Sequence, residues 1–165
     1  MKKRIWLLLL IVLASILLTG CALQTVDEMY ALPKRSKEYD SLQSAIDSAM
    51  YGLSYSAPVS GENQQTVQMA DLDGDGVEEY IVFAQGNSAN PLQVLIFRQE
   101  EDGTCRLMEV IQSNGSAFEQ VEYVQMDDAP GYELVVGRQL SDQVLRSVSV
   151  YSFSSGSAEQ LMMVG

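Results

Sequence analysis

Nine consecutive residues carry the densest chemistry in the chain. Asp71-Leu72-Asp73-Gly74-Asp75-Gly76-Val77-Glu78-Glu79 puts carboxylates at the first, third, fifth and ninth places and glycines at the fourth and sixth. Hard oxygen donors packed this closely repel one another without a cation and suit calcium, and the glycines let the backbone turn tightly enough to aim them inward. On the pattern of such loops, Asp71, Asp73 and Asp75 supply side-chain oxygens. Val77 supplies its carbonyl, and Glu79 a further carboxylate, directly or through water. The plainer alternative is an acidic turn that holds no ion. Even with metal bound, the expected role is a staple rather than a catalyst, because no nucleophile and base stand beside the loop. The chain has no histidine, so the commonest general base and zinc ligand is missing. Cys105 has no second thiol or histidine to activate it and reads as a small strand or core residue. No enzyme activity is expected.

The loop has to be held by strands. Val67-Gln68-Met69-Ala70, Tyr80-Ile81-Val82-Phe83, Leu92 to Phe97 and Leu107 to Ile111 are short β-prone runs separated by turn-rich stretches, which predicts an antiparallel meander. An EF-hand needs Glu at the twelfth place and a helix on each side. The twelfth place is Val82, inside a strand run, so that reading fails, as does a dockerin-type loop. Upstream, Tyr39, Leu42, Ile46 and Met50, with Ala45 and Ala49 beside them, recur at helical spacing. They predict one amphipathic helix over residues 36–52, capped by Ser36 and stopped at Gly52, whose apolar stripe packs on the domain that follows. Residues 54–65 read as a loop.

Sliding the chain along itself exposes a repeat. Val67 falls on Val121, Asp73 on Asp127, Glu79 on Glu133, Val82 on Val136, Val94 on Val148, Ile96 on Val150, Phe97 on Tyr151 and Leu107 on Leu161, every pair 54 positions apart. A gapless constant offset of this length marks two copies of one four-stranded unit, residues 66–112 and 120–165, each the size of a propeller blade. The second copy is degenerate. Gln125 stands at the place of Asp71 and Ala129 at that of Asp75, so it is expected to hold no metal.

At Asp71 to Phe83, the aspartate-glycine loop running into an apolar strand resembles the FG-GAP or VCBS repeat, the blade unit of integrin-like β-propellers. The resemblance implies calcium in a hairpin loop, with Asp71, Asp73, Asp75, Val77 and Glu79 as ligands, and a mostly β fold made of two blade-like sheets. Two blades cannot close a ring of about seven. The chain also stops inside its last strand run, so it is expected to be the N-terminal part of a longer lipoprotein or to pair with further blades or with itself.

The chain's start supplies an address. Lys2, Lys3 and Arg4 precede the apolar run from Ile5 to Leu18, which is shorter than the roughly 20 residues a membrane span needs and reads as a signal peptide, residues 1–20. Leu18-Thr19-Gly20-Cys21 resembles the lipobox of bacterial lipoproteins. That resemblance implies lipid on Cys21 and a place on the extracytoplasmic face of the cell membrane, since two or more acyl chains anchor stably, while the polar mix with Pro33, Lys34 and Arg35 reads as a tether over 21–35.

Charge and composition bound the partners. With 165 residues, 47% of them hydrophobic, and 22 acidic against 10 basic side chains, the chain can build one core and repels phosphate backbones, so nucleic acid is not an expected partner. Tyr123, Tyr132, Tyr151 and Phe153 suit either packing or a carbohydrate floor, with packing the commoner use. Asn114-Gly115-Ser116 is expected to be a turn. The expected function is binding or adhesion to a carbohydrate or protein ligand. The rival is the front part of a propeller enzyme acting on polysaccharide.

Overall fold

The computed structural model describes residues 37–140, 145–153 and 157–165. The signal peptide, Cys21 and the tether lie outside the described residues. None of the described helices is long and apolar enough to cross a membrane.

The chain is mostly β. Helix α1 (Lys37–Ala49) is followed by β1 (Ser54–Tyr55), β2 (Val67–Ala70), β3 (Glu79–Gln85), β4 (Leu92–Gln99), β5 (Cys105–Ser113), β6 (Ala117–Val124), β7 (Glu133–Gln139), β8 (Arg146–Ser152) and β9 (Glu159–Val164). Helix α1 lies inside the expected span. The backbone leaves helical geometry before Gly52, whose φ of +76° an L side chain adopts at a cost. Where residues 54–65 were expected to be loop throughout, Ser54 and Tyr55 form a two-residue strand.

Two antiparallel sheets result. Sheet one runs β1-β3-β4-β5, with β2 also paired to β3; sheet two runs β6-β7-β8-β9. The repeat is visible in the backbone. Each of β3, β4 and β5 begins 54 residues before β7, β8 and β9 respectively. The register irregularity between Ile96 and Phe97 recurs between Val150 and Tyr151 at the same offset. Strand β9 departs by one step: Ile96 faces Glu109, whereas Val150 faces Met162 rather than Met163. That slip brings Met162 and Val164 onto one face with Val148 and Val150.

Alternation along the strands sorts the side chains into layers. Ile81, Phe83, Val94, Ile96 and Ile111 leave one face of sheet one and bury against Val121, Leu134, Val136 and Tyr151 of sheet two. Phe83 and Phe118 meet edge to face across this seam, with ring centroids 5.2 Å apart. The other face of sheet one, with Val82, Ala84, Leu95 and Phe97, takes Ile46 of α1, and Leu42, Ala45 and Ala49 pack around it. Each such fully buried large side chain contributes roughly 1.5–3 kcal/mol. Tyr123, Tyr151 and Phe153 belong to this packing, while Tyr132 is half exposed.

The stacking is directional. Val121, Leu134, Val136 and Tyr151, which sheet two turns inward, stand 54 places after Val67, Tyr80, Val82 and Phe97, the residues sheet one turns toward α1. The helix therefore covers on sheet one the same face that sheet one covers on sheet two. Between β1 and β2 the chain leaves β3 and runs along β6. Val59 N–H donates to the Phe118 carbonyl at 3.1 Å and Ser60 N–H to that of Glu119 at 2.8 Å. These bonds occupy the outer edge of β6.

Candidate metal centre

The acidic loop joins β2 to β3, and both strands are held in the sheet, so its two ends are fixed. Inside it the carboxylates bond the backbone. Asp71 accepts from Gly74 N–H at 2.7 Å and, through its other oxygen, from Gly76 N–H at 2.9 Å. Asp73 accepts from Asp75 N–H at 3.2 Å and Asp75 from Val77 N–H at 2.8 Å. These short side-chain-to-backbone links are what make Asp a turn residue. The loop also leans on its counterpart in the second repeat. Tyr132 N–H donates to the Asp71 carbonyl at 3.0 Å. Gly74, at φ +76°, lies so close that a Cβ there would sit 2.3 Å from the carbonyl carbon of Pro130, which no side chain can accept.

Glu79, the first residue of β3, is only 3% exposed. One of its oxygens accepts from Leu72 N–H at 3.0 Å. The other accepts from both Nε and Nη2 of Arg98 at 3.1 Å, and the same Nη2 also pairs with Asp73. Burial is the largest influence on the Glu79 carboxyl and pushes its pKa above the ordinary value; the Leu72 N–H opposes this, while the charges of Asp75 and Asp71 add to it.

Asp71, Asp73 and Glu79 each bring a carboxylate oxygen to within 4.8 Å of the others, the arrangement among the described residues that could hold a metal ion. Asp75 and Val77 are exposed on the outer turn, and Asp75 is not part of that group. Beside Asp73 and Glu79 is a cavity of about 10 Å³, lined also by Arg98, Glu109 and Phe153 among others. It has room for about one water-sized particle. Arg98 and Glu109 were missed from the sequence. Arg98 had a usable signal: it follows Val94 and Ile96 at the same strand parity, so a cation is aimed at the inner face.

In the second repeat the frame persists with different chemistry. Glu133 accepts from Met126 N–H at 2.8 Å and Asp127 from Ala129 N–H at 2.7 Å, repeating the Glu79–Leu72 and Asp73–Asp75 links. Gln125, at the place of Asp71, donates instead to the Ala129 carbonyl at 3.1 Å. Cys105 is half-buried, and burial raises its thiol pKa, the opposite of an activated nucleophile. Its N–H is taken by Ser41 of α1 at 2.8 Å.

No family model, curated protein or solved structure matches this chain.

Proposed function

We propose that this chain is a binding or adhesion module of a bacterial lipoprotein. Lipid on Cys21 holds it at the extracytoplasmic face of the cell membrane, and two stacked sheets of FG-GAP or VCBS type form part of a β-propeller. The observation that supports this best is the directional stacking. One face of each sheet is covered by whatever precedes it, α1 for sheet one and sheet one for sheet two, and blade-by-blade growth requires that translation. The acidic surface argues for a carbohydrate or protein ligand and against nucleic acid. Further blades or a second copy of the chain are the partners that suit the outer face of sheet two.

The carboxylate cluster fits a calcium staple. Three carboxylates and one guanidinium leave a local charge of about −2, which a divalent cation balances, and all the donors are hard oxygens. Asp71, Asp73 and Glu79 would hold the ion, with Asp75 and the Val77 carbonyl completing the set from the outer turn. When bound it neutralises the loop and ties β2 to β3. Magnesium demands a stricter octahedral arrangement than a flexible loop offers.

Two measurements test the proposal. Expressed in a bacterium fed a palmitate analogue, the wild-type chain should carry label and the Cys21→Ser chain should not; an unlabelled wild type removes the anchor. Calcium at roughly millimolar concentration, the range of extracellular modules, should raise the melting temperature by mass action. Asp73→Asn with Asp75→Asn should erase most of the rise. Identical melting in calcium and EDTA would leave the loop an acidic turn.

A further inference from the structure

Arg138 is 3% exposed, the most buried of the four arginines among the described residues. The other three all meet carboxylates: Arg98 on Asp73 and Glu79, Arg106 on Glu100 at 2.9 Å, and Arg146 on Glu119 at 3.2 Å. Arg138 has no ion pair among the described residues. In a chain with 22 acidic residues, the most buried guanidinium among the described residues is also the one with no counter-charge among them. Arginine cannot escape by losing its proton, and an unpaired buried charge is among the costliest groups a fold can carry.

Its hydrogen bonds go to neutral acceptors. Nη1 donates to the backbone and side-chain oxygens of Asn114, both at 3.0 Å, and Nη2 to the hydroxyls of Ser147 at 3.2 Å and Ser149 at 3.0 Å, with the Met163 sulfur at 3.8 Å. Nε has no partner. Ser147 and Ser149 are themselves buried. Each accepts from Arg138 and keeps its own hydroxyl hydrogen, for which no acceptor stands among the described residues. Among the described residues, Nε and the two hydroxyl hydrogens therefore find no acceptor around this buried positive charge.

The nest is a local invention of the second repeat. Arg138, Ser147 and Ser149 occupy the places of Ala84, Gln93 and Leu95, and the pairing Arg138↔Ser147 repeats Ala84↔Gln93. In sheet one, Ala84 and Leu95 pack in the apolar layer under α1. Replacing that layer with a charge and two hydroxyls, facing the inter-sheet seam, costs stability unless something negative completes it.

We infer that Arg138 Nε and the hydroxyls of Ser147 and Ser149 form a binding site for a small monovalent anion, either chloride or the carboxylate of a small ligand. One guanidinium balances one negative charge, and three donors at a buried seam suit an ion of few atoms. The site is independent of the carboxylate loop and does not rest on the calcium reading.

The test is melting of the full chain, purified in non-ionic detergent, in sodium chloride, sodium formate and sodium gluconate at matched ionic strength with EDTA present. Gluconate is too bulky to enter. Chloride and formate should each raise the melting temperature by about 3–6 °C over gluconate through binding to the folded state, and the difference should vanish in Arg138→Met. A rise in formate alone assigns a carboxylate site, and a rise in chloride alone a halide site. If Arg138→Met does not fold, Ser147→Ala with Ser149→Ala, which keeps the charge and removes two donors, should at least halve the rise. Equal melting in all three salts, or an anion effect that survives in Arg138→Met, would overturn the assignment.

Discussion

The two repeats share a backbone and divide the chemistry. In both, a buried glutamate at the start of the second strand of the pair reaches back to an N–H seven residues earlier, Glu79 to Leu72 and Glu133 to Met126. The loop frame therefore needs only that one carboxylate and an aspartate two residues before a turn. What surrounds the frame differs. The first repeat adds Asp71, Asp75 and the opposing charge of Arg98. The second has Gln125 and Ala129 in place of Asp71 and Asp75 and puts its buried cation, Arg138, at the far end of the same strand. A repeat thus keeps the bonds that shape the chain and is free to change the charges that ligands would feel.

The largest expected effect separates the two glutamates. Glu79→Ala leaves Arg98 with Asp73 as its remaining carboxylate and strands the Leu72 N–H, so the loss approaches the about 3–5 kcal/mol of breaking a buried ion pair from one side. Glu133 has the backbone bond but no cation among the described residues, so Glu133→Ala should cost about 1–3 kcal/mol. Urea unfolding of both variants in EDTA measures the difference. Equal losses would mean that Arg98 adds nothing to the first loop.

How far such features can be read in advance depends on their period. The 54-residue offset located the strands because a sheet repeats its side-chain alternation, and α1 was legible from the stripe of Leu42, Ile46 and Met50. The loop carboxylates were legible because they are adjacent in sequence. Arg98 and Arg138 belong to strands where one cation interrupts an apolar run, and only their parity with inward residues, Ile96 for one and Val136 for the other, gives them away. The path of residues 56–66 along β6 carries no such signal. It is held by backbone groups such as Val59 N–H and Ser60 N–H, which every sequence possesses. The slip of β9 is equally silent, since Leu161, Met162, Met163 and Val164 are apolar in either register.

Equivalent valines sharpen the contrast further. Val94 is buried between the sheets, while Val148, its counterpart, is 43% exposed on the outer face of sheet two, where Met162 and Val164 are also exposed. Val94→Ala should cost about 2 kcal/mol through lost burial and the cavity left behind. Val148→Ala should change unfolding by less than about 0.5 kcal/mol. The same exposed face should make the chain self-associate at high concentration, and Val148→Lys should reduce that association in light scattering. A strictly monomeric wild type would show that the outer face needs no cover.

The smallest loss from a buried group lies where the first repeat grips the second. Tyr123 of β6 donates its hydroxyl to the Gln68 side chain of β2 at 2.7 Å, and Gln68 in turn donates to the carbonyls of Asn63 and Gln65. This short network fastens the β1–β2 crossing to sheet two. Tyr123→Phe should cost about 1–1.5 kcal/mol, one hydrogen bond net of solvation. It should also change the alkaline limb of the stability curve. Burial raises the Tyr123 phenol pKa above its ordinary 10.0, so as pH climbs past that value the unfolded chain loses the proton first and binds fewer protons than the folded one. Stability then falls with rising pH. Below that range the group is protonated in both states and contributes no slope. Tyr123→Phe removes this term, so the variant should lose stability less steeply than the wild type above pH about 10, and the two curves should converge. Parallel curves would mean that Tyr123 ionises as readily folded as unfolded, and that the seam between the repeats is open to water.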